Sequence, residues 1–102
     1  MVEDIWLPPA TDVESEKRWL AGALLAWLDR EFLAEAIHPH IAERAASIYA
    51  RQRLEGEDLL ASIHIALLAE MRHDDYAMTA CSEFVVANAV AQLLIARLEG
   101  KS

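Results

Sequence analysis

The few prolines and glycines of this chain constrain its fold most, because both residues interrupt regular secondary structure. Only three of each occur among the 102 residues, and most of them separate long stretches rich in alanine and leucine. Alanine and leucine favour helices, and no stretch of useful length alternates polar and apolar residues as a half-buried strand would. The chain is therefore predicted to be all-α, with helices that end near the prolines and glycines.

These boundaries predict four helices behind an extended N-terminal arm over residues 1–10, which ends in Pro8 and Pro9. Thr11 and Glu14 match a capping box, which would start the first helix at Asp12. The helices are predicted over residues 12–33, 39–54, 58–72 and 79–98, with Asp58 and Thr79 as the N-caps of the last two and Gly56 and Gly100 ending the second and fourth. Residues 11–102 then form a single domain, a compact four-helix bundle.

Hydrophobic residues make up 55% of the chain, which is slightly high for a monomeric domain. The predicted second helix has the pattern of an ordinary amphipathic surface helix, whereas the other three are apolar on more than one face. We expect this surplus to form a homodimer interface, with Phe84 and Asn88 of the fourth helix among its contacts. The alternative is that the alanine-rich faces lie at the surface without a partner. Asn88 and Gln92, four residues apart, either form a polar seam within that contact or face water.

The acidic balance of the chain excludes nucleic acid as a partner. The formal net charge is −8, residues 1–16 hold five acids and no base, and residues 55–75 hold six acids against Arg72. Phosphate backbones and anionic membrane surfaces both require a basic face. The longest apolar stretch, residues 84–96, is shorter than the roughly 20 residues that span a bilayer, so no membrane insertion is expected.

Basic residues gather only on the predicted second helix, at Arg44, Arg51 and Arg53. Arg44 and Arg51 are seven residues apart and therefore share a face that suits a carboxylate or phosphate of a partner. The favoured alternative is a solvated face balanced by Glu43 and Glu55.

Two Glu-x-x-His pairs, Glu35 with His38 and Glu70 with His73, introduce a metal site as an alternative. A spacing of three puts both side chains on one helical face, as in the carboxylate-bridged di-iron proteins of ferritin-like bundles. Both pairs lie at helix ends, whereas a buried metal centre needs ligands that project from mid-helix. We therefore expect no metal and keep these four residues as ligands of the alternative only.

Neither His64 nor Cys81 predicts a catalytic site. His64 lies between two isoleucines, where a histidine more often makes one structural hydrogen bond than acts in catalysis, and the lone Cys81 is expected to be a small buried side chain. The sequence has no phosphate-binding loop, no dinucleotide-binding glycine pattern and no zinc spacing. We predict no enzyme activity and no cofactor.

The arm carries Trp6 and Leu7 on a stiff extended segment of the kind that docks into apolar grooves. Docking on its own domain is the favoured interpretation, because an exposed Trp–Leu pair promotes aggregation. Docking on another protein is the alternative.

Two segments, residues 51–57 (RQRLEGE) and 82–90 (SEFVVANAV), resemble small uncharacterised helical proteins encoded by cyanobacteria. The resemblance covers most of the chain and implies a bacterial cytosolic setting, but it includes no catalytic motif and assigns no site residues. Glu3 and Asp4, where a secretory signal would carry positive charge, also favour a cytoplasmic location.

Together these features predict a non-enzymatic protein-interaction module, an adaptor, assembly factor or regulator, that forms a homodimer and binds another protein. The ferritin-like metal protein is the alternative. Binding of an apolar small molecule between the alanine-rich helices is a third and weaker option.

Overall fold

Four helices make up most of the structure, a computed structural model that describes residues 4–72 and 82–100. They are α1 (Val13–Glu31), α2 (His38–Leu54), α3 (Leu60–Met71) and α4 (Glu83–Leu98). No strand forms within those residues, and an isolated β-bridge joins Trp6 to Leu59. The prediction of an all-α four-helix bundle is confirmed.

The N-terminal caps of α1 and α4 differ from the predicted ones. Asp12, not Thr11, caps α1, because its carboxylate accepts hydrogen bonds from the backbone amide and the hydroxyl of Ser15. At α4 the hydroxyl of Ser82 accepts from the amide of Val85, whereas the predicted cap, Thr79, lies outside the described residues. Aspartate and threonine are both good caps, so local spacing does not choose between two such neighbours.

Asp58 does not cap α3, contrary to the prediction. The helix begins at Leu60, and Leu59 occupies the cap position without a side-chain hydrogen bond. The carboxylate of Asp58 instead accepts a 2.8 Å hydrogen bond from Arg53. A buried guanidinium requires a paired carboxylate. The Asp58 carboxylate therefore accepts from Arg53 and not from the first backbone amides of α3.

Gly56 and Gly100 follow α2 and α4 with φ angles of 86° and 75°. This left-handed conformation favours glycine, which has no Cβ, so both predicted helix ends are confirmed. α1 ends at Glu31, short of the predicted Leu33, because Phe32 adopts an extended backbone.

The arm packs on its own domain. The amide of Leu7 donates to the carbonyl of Asp58, and the amide of Leu60 donates to the carbonyl of Ile5, each at 2.8 Å. Leu7 is buried in the core, while Trp6 beside it stays 63% exposed. Neighbouring side chains of an extended segment point in opposite directions, so burying one leaves the other outside. Self-docking of the arm is confirmed for its described part.

α2 is the central helix of the bundle, so the prediction of an ordinary surface helix was wrong. It packs against all three other helices and lies between α1 and α3, which share no contact in the described part of the chain. Its buried apolar residues cover much of its circumference and include four alanines. Alanines at close-packed positions add little to an amphipathic pattern, which is why that pattern concealed the burial of α2.

Candidate functional site

The outer surface shared by α3 and α4 is the candidate site, and we call it the α3–α4 face. We define it by the pair His64 and Asn88, which join the two helices, together with Ile65 next to His64 and with Phe84 and Gln92 four positions before and after Asn88. The three α4 residues follow one another every four positions and therefore lie along one side of that helix. Nε2 of His64 lies 2.9 Å from Oδ1 of Asn88, which joins the two helices at this surface.

Two large apolar side chains of this face are exposed to solvent. Ile65 is 63% exposed and Phe84 is 59% exposed. No Asp, Glu, Lys or Arg occurs in residues 59–69 or 84–96, although Glu83 directly precedes Phe84. A helix that faces water normally carries charged residues on its outer side, which makes this face a candidate contact surface.

The polar residues of the α3–α4 face are His64, Asn88 and Gln92. His64 is partly buried, and among the described residues it makes one hydrogen bond, to Asn88. Asn88 and Gln92 are exposed in one copy of the chain, which fits their facing water. A polar seam between two copies stays a prediction, and Cys81 lies outside the described residues.

The basic face predicted on α2 is engaged within the chain. Nη2 of Arg51 donates to Oε2 of Glu70 on α3, and this hydrogen bond with its opposite charge raises the pKa of Arg51. Arg44 is half-buried and also has an interaction within the chain. Arg53 is buried and not part of a surface. The described arginines of α2 therefore fit a face balanced by carboxylates better than a face that binds a partner's anion. Glu70 is a balancing carboxylate that the sequence did not indicate.

The candidate metal ligands have other partners. The imidazole of His38 is buried, with Nδ1 2.7 Å from Oδ1 of Asp29 and Nε2 3.8 Å from Oε2 of Glu35. Glu70 is paired with an arginine of α2, and His73 lies outside the described residues. Across the described part of the chain, no group of three or more His, Cys, Asp or Glu side chains is arranged to hold a metal ion. Through Asp29, His38 joins the last turn of α1 to the start of α2.

Sequence reasoning missed a polar cluster that joins α1, α2 and α4, which we call the Glu16 cluster. Oε1 of Glu16 accepts hydrogen bonds from the hydroxyl of Tyr49 at 2.8 Å and from Nη1 of Arg97 at 2.9 Å. The guanidinium carbon of Arg97 also lies 4.1 Å from the centroid of the Trp19 ring, a cation–π contact. Burial and then the hydrogen bond to Glu16 raise the pKa of Tyr49. In the sequence Tyr49 lies 33 positions from Glu16 and Arg97 lies 81 positions from it, so no local pattern indicates the cluster.

Arg53 lies beside this cluster and holds the arm. Its side chain is 2% exposed, its Nη1 donates to Asp58, and its Nη2 donates to the carbonyl of Pro8. Its Nε has no hydrogen-bond partner among the described residues. The guanidinium carbon lies 5.9 Å from the centroid of the Tyr49 ring. From sequence, an arginine near a helix end is expected at the surface, so the role of Arg53 in holding the arm was not predicted.

Fold and surface together define an all-α domain of four helices with a self-docked arm and an uncharged outer face. A family model described as a domain of unknown function, DUF8822, matches residues 1–98. The chain belongs to that family. No curated protein and no solved structure matches it.

None of the helices in the described part of the chain combines the length and the apolarity that crossing a bilayer requires.

Proposed function

We propose that this chain is a non-enzymatic protein-interaction module that acts as a homodimer through the α3–α4 face. The observation that carries the proposal is the exposure of Ile65 and Phe84 on a surface without charged residues. Burying apolar area of this kind is the main favourable contribution to protein association.

A second copy of the chain is the occupant that suits this face best. A two-fold axis places the same patch of each copy opposite itself, and two-fold dimers are the commonest oligomers. Because none of the five residues that define the face carries a formal charge, pairing them buries no carboxylate of their own, although each chain carries a formal charge of −8. The hydrogen-bonded pair of His64 and Asn88 would lie inside the contact, where polar groups fix the register of paired helices.

A further protein partner is part of the same proposal, in which the dimer acts as an adaptor, assembly factor or regulator. Trp6 is its proposed contact, because the indole is 63% exposed while Leu7 beside it is anchored in the core. Exposed aromatic side chains on a fixed backbone are typical anchors of protein interfaces. The resemblance to cyanobacterial helical proteins supports action in a bacterial cytoplasm.

Multi-angle light scattering over a range of concentrations tests the homodimer. We expect a mass of twice the 11.4 kDa of one chain. Ile65→Glu and Phe84→Glu should each return the mass to one chain, because a dimer would then bury an unpaired carboxylate from each copy. Both positions are exposed, so the variants should fold, and Phe84→Glu adds its charge at the favourable N-terminal end of α4.

Leu33→Glu is the matched control, because Leu33 is a large exposed apolar residue just beyond α1 and outside the α3–α4 face. It should leave the mass unchanged. A wild-type chain that stays at 11.4 kDa at the highest concentration would overturn the proposal. Face variants that retain the dimer mass would overturn it as well.

A further inference from the structure

A pocket of about 380 Å³ opens between the arm and the helices α1, α2 and α4. This volume lies within the range of roughly 300–1,000 Å³ that small-molecule sites occupy. Part of its wall is apolar and is formed by the prolines of the arm together with Leu7, Leu94 and Leu98. The pocket is separate from the α3–α4 face, so its role does not depend on dimerisation.

The rest of the wall is polar and includes four ionisable side chains: Glu16, Tyr49, Arg53 and Arg97. Two arginines face one glutamate there, and Tyr49 stays neutral because burial and Glu16 raise its pKa. Each arginine is paired with one carboxylate, Arg97 with Glu16 of the lining and Arg53 with Asp58 behind it, so the charges at the pocket balance. An anion that enters this pocket therefore has to be bound by guanidinium N–H groups that these pairs leave over.

Arg97 is the residue placed to bind that anion. Its Nη1 donates to Glu16 and its guanidinium is held over Trp19, while its remaining N–H groups have no acceptor among the described residues. Its side chain is 38% exposed, in contrast to the almost fully buried Arg53, which spends both terminal nitrogens on Asp58 and Pro8. A fixed guanidinium with free donors suits one carboxylate, because two parallel N–H groups match its two oxygens.

We infer that this pocket binds a small organic carboxylate with an apolar body, its carboxylate on Arg97 and its body against Leu94, Leu98 and the arm. An inorganic phosphate would leave the apolar wall in water. A neutral apolar molecule would leave the free donors of Arg97 without a partner.

Titration of the isotopically labelled chain with phenylacetate, indole-3-acetate and decanoate, followed by amide chemical shifts, tests the inference. At least one of these probes should shift signals of the arm and of the C-terminal half of α4. The neutral amides of the same three acids should bind at least about tenfold more weakly, because they lose a charge-assisted hydrogen bond. Amides that bind as well as the acids would overturn the inference, as would the absence of any shift at millimolar acid.

Two variants then locate the site. Arg97→Gln should weaken binding at least about tenfold, whereas Arg18→Gln, which removes an equal charge from an exposed position of α1, should not alter it. If Arg97→Gln loses the dispersed spectrum of a folded chain, Leu98→Glu keeps the test valid, since Leu98 is 44% exposed at the pocket. It should abolish binding by repulsion, with Leu33→Glu as its control. Unchanged affinity in either folded variant would overturn the inference.

Discussion

The hydroxyl of Tyr49 on α2 donates a 2.8 Å hydrogen bond to Oε1 of Glu16 on α1, and the two residues are 33 positions apart. Because the same oxygen accepts from Arg97 of α4, one carboxylate ties together three of the four helices. The cluster borders the pocket at the arm, so it stabilises the bundle and shapes that pocket at once.

Tyr49→Phe should lower the free energy of unfolding by about 2 kcal/mol, because it removes a hydrogen bond to a charged group and keeps the ring. Urea unfolding at neutral pH measures this difference. Tyr76→Phe, which removes the other tyrosine hydroxyl of the chain, is a control for loss of the same chemical group. No change in Tyr49→Phe would mean that Arg97 alone satisfies Glu16.

Alkaline pH should destabilise the wild-type chain more than Tyr49→Phe. Burial and Glu16 raise the pKa of Tyr49 above that of an ordinary tyrosine, which is about 10. The raised pKa stabilises the folded chain fully below the ordinary tyrosine pKa. This stabilisation is lost as the pH rises toward the pKa of the folded state, because the unfolded chain releases the tyrosine proton first. Urea unfolding between about pH 8 and about pH 11 should show the two chains converging. A constant difference across this range contradicts the assigned cause.

Asp12→Ala should lower the thermal midpoint at neutral pH, whereas Thr11→Ala should not, because Asp12 supplies the cap of α1. Hydrogen bonds from the Ser15 hydroxyl and then from its amide lower the pKa of Asp12. The stabilisation is therefore present above the unfolded value of 3.8 and is lost as the pH falls through the folded pKa. Thermal unfolding at several pH values checks this. A larger drop of the thermal midpoint in Thr11→Ala than in Asp12→Ala would show that Thr11 caps α1, as the capping box predicted.

Arg53→Met should destabilise the chain by about 3 kcal/mol, because it leaves Asp58 and the carbonyl of Pro8 without their buried partner. Arg51→Met, two residues away on the same helix, removes only an exposed ion pair and should cost far less. Arg53→Met should also release the arm to limited proteolysis. Equal losses in the two variants would show that Arg53 does not anchor the arm.

Ile63 and Ile65 should separate folding from association. Ile63 is fully buried, so Ile63→Ala should cost about 3 kcal/mol of unfolding free energy and leave dimerisation intact. Ile65→Ala should cost less than about 0.5 kcal/mol in the monomer and weaken the dimer. Urea unfolding at low concentration and sedimentation equilibrium at high concentration provide the two measurements. A large loss of monomer stability in Ile65→Ala would assign that residue to folding.

Features set by near neighbours in sequence were predictable. The positive φ angles of Gly56 and Gly100 follow from the chemistry of glycine at helix ends, and the four helices follow from alanine, leucine and sparse breakers. The caps were less certain, since Thr11 and Asp12 compete for one position within a single turn.

Features set by distant partners were not predictable from a single sequence. The central place of α2 depends on which faces its alanines present to three other helices. Arg53 looked like a surface charge because its partners belong to the arm and to the segment before α3. Phe84 and Asn88 were expected on a contact surface, whereas Ile65 was not. A uniformly apolar helix has no hydrophobic periodicity that would indicate which of its residues is exposed.

Intermolecular nuclear Overhauser effects in an equal mixture of ¹³C-labelled and unlabelled chains test the central claim most directly. Association through the α3–α4 face predicts that the methyl groups of Ile65 and the ring of Phe84 contact protons of the other copy. A sample of dimer mass in which neither residue shows an intermolecular contact, while residues of another surface such as Leu33 do, would contradict it.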